Sequence, residues 1–211
     1  MKDIKLICFD LNKTLVKENT WLDLNLAMCV TKEEDDLLFR LYKDSIITYK
    51  EWQSILEKMY IKRGKATRAN IEKTVFNYTY MKDAEDVVKY LKKKGYKIAL
   101  ITGSLLMLAE KVAKETGIEF YEANNIMIFN EDDYLEKLVA LGNDELIKLR
   151  HLQSFCRELD IKLTECVCIG DGDNDRLLFE KCKHGITFKD SDIKDLSWKV
   201  INELGDLEKI F

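Results

Sequence analysis

The chain has 211 residues, 46% of them hydrophobic, and its 34 basic and 38 acidic side chains leave a formal charge of only −4. That balance excludes a charge-driven disordered chain and gives no global positive field for nucleic acid, and no apolar stretch reaches the length needed to span a membrane. Six cysteines occur without a CxxC pair, so zinc and thioredoxin-type motifs have no support and buried free thiols in a reducing cytoplasm are expected.

In chain order, the first element is an apolar run at 4–9 that reads as a strand delivering Asp10 to its carboxyl end. No signal-type apolar region precedes it, which again points to the cytoplasm. The region 18–80 holds no convincing strand and reads as helices at 20–30, 31–44, 48–63 and 67–79. In the first of these, Trp21, Leu22, Leu24, Leu26, Met28 and Val30 are dense enough that packing on both sides is expected. Thr31 with Glu34 three residues later forms a capping box. Tyr49 and Trp52, at helical spacing, are assigned to the core of this helical block.

Beyond residue 80 the pattern alternates. Helices at 83–94, 105–116 and 144–159 interleave with strands at 96–102, 165–169 and 185–188, with a short edge run at 198–201, as βαβ units and a parallel sheet require. The lysine-rich stretch 89–97 falls where a helix ends at Gly95, so its charges complement the helix dipole. The segment 118–135 breaks the alternation, with two β-rich runs around Asn130-Glu131-Asp132-Asp133 reading as a hairpin. The fold class is therefore α/β. A Rossmann-like parallel sheet core comprises 1–17 and 81–211, an all-α cap is inserted at 18–80, and a small β-hairpin is added.

Four groups carry chemistry. Asp10 at a strand end can act as a nucleophile toward phosphorus. Thr102, with the backbone N–H groups of Gly103 and Ser104, reads as a strand–turn–helix junction able to bind phosphate oxygens at a helix N-terminus. Lys148 lies on the helix before the 165–169 strand, where its ammonium can neutralise an aspartate and a phosphoryl oxygen together. Gly170-Asp171-Gly172-Asp173-Asn174-Asp175 follows a buried strand, and its carboxylates suit Mg²⁺. An EF-hand starting at Asp171 fails, because Arg176 and Cys182 occupy the positions that need glycine and glutamate.

In this order the four groups resemble the haloacid dehalogenase (HAD) superfamily, specifically its phosphoserine-phosphatase-like branch with a helical cap. The interval from Lys148 to Asp171 (171 − 148 = 23) and the run Glu122-Ala123-Asn124-Asn125 before Ile126 resemble the same branch. The resemblance implies a HAD fold and a Mg²⁺-dependent phosphatase or phosphotransferase working on a small phosphorylated metabolite through an aspartyl-phosphate on Asp10. It implies that Asp10, Asp171 and the backbone carbonyl of Asn12 hold the metal, with Asp175 anchoring the loop or a metal-bound water. It also implies that Thr102 and Lys148 bind the phosphoryl oxygens and that Asn174 faces the phosphate. Neither a nucleic acid nor a membrane is expected as a partner, and the chain gives no oligomeric state.

The sequence departs from the family pattern at Asn12, where the phosphatases carry the aspartate that protonates the leaving alkoxide. Asparagine has nearly the same shape but no exchangeable proton, and losing a general acid costs on the order of 10²–10⁴-fold. The departure suits a slow phosphatase, or a substrate whose leaving group needs no proton, such as an acyl phosphate. The alternative is a catalytically impaired HAD-fold protein that binds a phosphorylated ligand or partner. The cap glutamate and arginine that hold phosphoserine in the family correspond to Asn19, with Glu18 beside it, and to the apolar surroundings of Leu56. Arg63 and Arg68 are misplaced, so phosphoserine is not expected to be the best substrate. His151 is read as a helix-surface residue.

Overall fold

The computed structural model describes residues 3–211. Seven strands form one sheet: β1 (Leu6–Phe9), β2 (Lys97–Leu105), β3 (Phe120–Phe129), β4 (Leu135–Ala140), β5 (Cys166–Ile169), β6 (Gly185–Phe188) and β7 (Lys199–Ile201), in the spatial order β4-β3-β2-β1-β5-β6-β7. All neighbours are parallel except β3 and β4. The expected hairpin is thus the edge of the main sheet: the first half of β3 pairs with β2, and its second half turns back on β4.

Alternation along the central strands divides the interior into two layers. Leu6 and Cys8 of β1, with Ala99, Ile101, Cys166 and Cys168 of its neighbours, face α7 (Asp144–Glu158) and α8 (Arg176–Cys182). Ile7 and Phe9, with Ile98, Leu100, Val167 and Ile169, face the opposite side, which α5 (Ala84–Lys93) and α6 (Leu106–Thr116) cover. Five of the six cysteines are buried, and Cys156 with Cys166 and Cys168 with Cys182 bring their Sγ atoms to 3.4 and 3.3 Å as free thiols. Cys29 departs from expectation. It lies just beyond its helix, exposed, with φ +63°.

Between β1 and α5 run four helices: α1 (Thr20–Ala27), α2 (Lys32–Lys43), α3 (Tyr49–Lys62) and α4 (Arg68–Val75). Thr31 and Glu34 form the expected capping box at α2, and Thr48 with Glu51 forms a second at α3. α1 is not packed on both sides, since Leu24, Met28 and Val30 are buried but Leu26 stays 49% exposed. Tyr60 donates to the Asn25 amide oxygen and Asn25 donates to Asp35 at 2.7 Å, which ties α3, α1 and α2 together. The block also leans on the sheet edge: Glu57 accepts the Leu138 N–H of β4 at 2.6 Å, and Arg68 pairs with Asp133 at 2.7 Å.

Candidate active site

The centre of the sheet is a topological switch point. The chain steps from β1 outward through β2 and β3, then returns to place β5 on the other side of β1, opening a crevice beyond the carboxyl ends of these strands. Asp10 enters it one residue past Phe9, fixed by its N–H to the Ile169 carbonyl at 2.8 Å. The chain then wraps tightly, with the N–H groups of Thr14, Leu15 and Val16 all directed to the Leu11 carbonyl and Lys13 in the left-handed region at φ +57°.

On the β5 side, Asp171 and Asp175 come from the loop that begins at Gly170. Gly170 has to be glycine, because a Cβ there would fall on the Asp175 carboxylate. Thr187 donates to the Gly170 carbonyl at 2.7 Å and Ser191 to that of Asp171 at 2.8 Å, so β6 and its following loop hold the acidic loop in place.

Lys148 reaches this point from α7, fully buried, with Nζ 2.6 Å from Asp10 Oδ1 and 2.8 Å from Asp175 Oδ1. Oxygens of Asp10, Asp171 and Asp175 lie within 4.8 Å of one another. Burial pushes the Asp10 carboxyl up to about 8, with Asp175 and Asp171 adding to the rise and Lys148 opposing it. Asp171 is pushed up to about 6, again by burial and by Asp175. For Lys148, burial works against the charged form, but Asp10 and Asp175 overcome it and raise its pKa above the ordinary value. Three converging carboxylates against one ammonium leave the cluster short of positive charge, and an all-oxygen donor set of this kind suits a hard divalent cation.

The Thr102 segment is built differently from the strand–turn–helix expected. β2 continues through Gly103 and Ser104 to Leu105, and α6 begins only at Leu106, without a side-chain cap. A shift of register against β3 between Thr102 and Leu105 bends the strand there. The Ser104 N–H is taken by Thr102 Oγ1 at 3.0 Å, and the Ser104 hydroxyl is buried without a partner among the described residues. Thr102, Gly103 and Ser104 still line the cleft, but as extended backbone and not as a helix N-terminus.

Asp144, which the sequence reading missed, organises this side. It opens α7, one turn before Lys148, and accepts from Asn124 Nδ2 at 2.7 Å and from Asn174 Nδ2 at 2.8 Å. A Cβ on Gly103 would fall on its carboxylate. Asn174 therefore lines the cleft with its amide engaged by Asp144, a different arrangement from one turned freely toward a phosphate. An acidic residue in the first turn of a helix reads from sequence as a dipole effect alone, so nothing distinguished Asp144. His151 is also reassigned: it is mostly buried, with Nδ1 3.8 Å from Glu122 of β3, and does not reach the cleft.

The helical block roofs the crevice and encloses a cleft of about 480 Å³. Its side of the lining is aromatic: Trp21, Phe39, Tyr42, Tyr49 and Trp52, with Gln53 between helices and sheet. Tyr49 and Trp52, assigned from sequence to the core of the block, thus face the site. Helical periodicity could not separate the two roles, because the face that packs on neighbouring helices also meets the crevice. The roof is clasped to the sheet through the Gly103 carbonyl, which accepts from Trp21 Nε1 at 3.2 Å, Tyr49 Oη at 3.5 Å and Asn125 Nδ2 at 2.8 Å. Lys43 of α2 adds an ion pair to Asp173 at 2.8 Å. Neither Arg63, paired with Glu34 at 2.8 Å, nor Arg68 lines the cleft, and Leu56 is buried. Asn19 lines it while capping α1.

Residues 4–182 match the haloacid dehalogenase-like hydrolase family. The chain belongs to that family. Among curated proteins, this hydrolase is 26% identical over 93% of its length to a phosphoserine phosphatase of Archaeoglobus fulgidus, of which it spans 56%. It is 25% identical over 99% of its length to the phosphoserine phosphatase of Methanocaldococcus jannaschii, of which the match covers 97%. Its fold matches a substrate-bound phosphoserine phosphatase complex, with a TM-score of 0.80 over the whole of both chains at 24% identity. An apo phosphoserine phosphatase matches with a TM-score of 0.75 at 25% identity, covering 98% of this chain and 97% of the other. The protein is thus a HAD hydrolase related in sequence and fold to phosphoserine phosphatases, with a carboxylate cluster able to hold a divalent metal. Among the described residues no helix is long and apolar enough to cross a membrane.

Proposed function

We propose that this hydrolase is a cytoplasmic, Mg²⁺-dependent phosphatase or phosphotransferase that acts on a small phosphorylated metabolite through an aspartyl-phosphate on Asp10. The observation that carries the reading is the buried ion cluster, in which Lys148 bridges Asp10 and Asp175 beside Asp171. A carboxylate at the end of β1 can hold a metal in a protein that only binds phosphate, but its placement beside Lys148 at the floor of the cleft also suits a nucleophile, which supports the enzymatic reading. With Asp10, Asp171, Asp175 and the Asn12 carbonyl as its ligands, Mg²⁺ would offset the charge of a dianionic phosphoryl group.

In this reading the Asp10 carboxylate attacks phosphorus as the bond to the leaving oxygen breaks, and water then cleaves the acyl phosphate. Lys148 and Thr102 hold phosphoryl oxygens, and residues 18–80 act as the cap that excludes bulk water. Asn12 sets the limit on rate. Its Oδ1 accepts the Thr20 hydroxyl at 2.6 Å, which leaves Nδ2 to donate toward the cleft. That amide can hydrogen-bond a departing oxygen but cannot give it a proton, so esters of ordinary alcohols should turn over slowly and acyl phosphates well.

The test is Mg²⁺-dependent hydrolysis of acetyl phosphate and of an unactivated alkyl phosphate by the native protein, Asp10→Asn and Asn12→Asp. The reading expects native turnover of acetyl phosphate, its loss in Asp10→Asn, and a gain on the alkyl ester in Asn12→Asp. Unchanged hydrolysis in Asp10→Asn, or no turnover by any of the three, would overturn it.

A further inference from the structure

The cap side of the cleft carries a chemistry that the phosphoryl site does not use. Trp52 stacks on Tyr42 with ring centroids 5.3 Å apart and planes 30° from parallel, and meets Tyr49 edge-on at 5.9 Å. Phe39 closes the same cluster at 6.0 Å from Trp52. Within this wall two polar atoms are left without a hydrogen bond among the described residues: Trp52 Nε1, a donor, and Oε1 of Gln53, an acceptor on a side chain only 2% exposed. A buried polar atom left unpaired keeps its full desolvation penalty. Both belong to residues that line the cleft, although the two atoms themselves have no exposed surface, so a ligand reaches them once these side chains turn toward it.

Charge narrows the choice of ligand. Lys43 is the one ionised cap residue in the lining, and Asp173 already engages it. No cap carboxylate lines the cleft to receive an ammonium, and no unengaged cap cation is there to receive a carboxylate. The rim on the sheet side carries the acids Asp144, Glu145, Asp173 and Asp192 against a single lysine, Lys13, beside the Asp10 site. An amino-acid leaving group would meet this rim with its carboxylate and would find no matching pair on the cap.

We propose that the leaving group is flat, uncharged and unsaturated, an aromatic or heteroaromatic ring bearing the phosphorylated oxygen, which can depart without a proton from Asn12. It packs against the Tyr42–Trp52 wall, with an N–H or O–H donor directed to Gln53 Oε1 and an acceptor to Trp52 Nε1. The proposal rests on the phosphatase reading for which end of the molecule enters first, and it assigns the other end. It also explains the cleft volume of about 480 Å³, which is in the range that accommodates a whole small organic ligand.

Non-hydrolysable phosphonates separate this inference from turnover. Calorimetric affinities in Mg²⁺ would be compared for phosphonates bearing a heteroaryl-methyl group, a plain butyl chain, an α-amino acid and a trimethylammonium group. Acetyl phosphate hydrolysis by native protein and Asp10→Asn, measured in parallel, reads the phosphatase assignment by itself. The heteroaryl phosphonate should bind about tenfold tighter than the butyl and amino-acid compounds, the size of effect that stacking on aromatic side chains gives. Gln53→Met and Trp52→Leu, each checked for an intact thermal transition, should bring that ratio to within about threefold. Equal or tighter binding of the amino-acid or butyl phosphonate overturns the proposal. So does tighter binding of the trimethylammonium compound, which would make the wall a cation–π site, and so does a ratio that survives both substitutions.

Discussion

The two sides of the cleft differ in chemistry: one is ionic and the other aromatic. On the sheet side the charged groups are engaged, Lys148 with two carboxylates, Asp144 with two asparagines and the acidic loop with Thr187 and Ser191, while Ser104 Oγ and Asn125 Oδ1 are buried without a partner among the described residues. Glycines at 103 and 170 leave room for the Asp144 and Asp175 carboxylates. On the cap side the contacts are between rings, and Trp52 and Gln53 leave polar atoms open. The difference teaches where specificity can change. A group held by several strong partners is fixed by the chemistry it performs, whereas a wall of rings can be re-cut for another leaving group without disturbing it.

The largest effect that would test this contrast is at Asp10. Asp10→Asn should abolish measurable hydrolysis and at the same time raise the thermal midpoint of the metal-free protein at pH 8. Burial lifts the folded Asp10 carboxyl to about 8, so the folded state holds this proton more tightly than the unfolded chain. The group's contribution is therefore complete below the ordinary carboxylate pKa and is lost as pH rises through about 8. Asp171, lifted to about 6, works in the same direction. Metal-free native protein should melt progressively lower from pH 5 to pH 8, and Asp10→Asn should flatten that slope. A midpoint that climbs over this interval would contradict the account of the cluster.

Next in size is Asn12→Asp, which restores a group able to give and take a proton. The expected gain is on the order of 10²–10⁴-fold in kcat for an unactivated alkyl phosphate, with much less change for acetyl phosphate. Steady-state kinetics on both substrates reads it, and an equal gain on the two would show that Asn12 limits something other than protonation.

Gly170→Ala probes the packed side directly. Its Cβ would displace the Asp175 carboxylate, with an expected loss of about 1–3 kcal/mol in stability and weaker Mg²⁺ binding, read by chemical denaturation and metal titration. The smallest effect belongs to the Lys43–Asp173 pair between cap and core, whose side chains are half exposed. Lys43→Ala should cost no more than about 1 kcal/mol, less than any change at the buried cluster. A larger loss would mean that the cap is held by this pair and not by the clasp on the Gly103 carbonyl.

What was legible from sequence follows what is local. β1 runs straight into Asp10, the acidic loop is contiguous, and strands and helices alternate with a period that sequence records directly. The capping box at Thr31 is contained in four residues, and Lys148 stood at the right interval from Asp171. The family pattern joined these pieces, because their order along the chain is itself a linear property. The places where expectation failed are those where a residue's meaning comes from its neighbours in space. Extended backbone through Ser104 depends on pairing with β3. The turn of Asn174 toward Asp144 depends on a helix 30 residues away in sequence.

The sequence by itself therefore determined the α/β class and the order of the elements, and it brought Asp10, Lys148 and the acidic loop into view, since hydrophobic period and short motifs are written along the chain. The tertiary structure alone decided that the hairpin is a sheet edge, that Asp144 ties Asn124 and Asn174 together on the sheet side of the cleft, and that Tyr49 and Trp52 face the cleft. An aromatic stripe on a helix buries itself against whatever lies opposite, and only the packing of the helical block on the sheet shows that what lies opposite is a cleft.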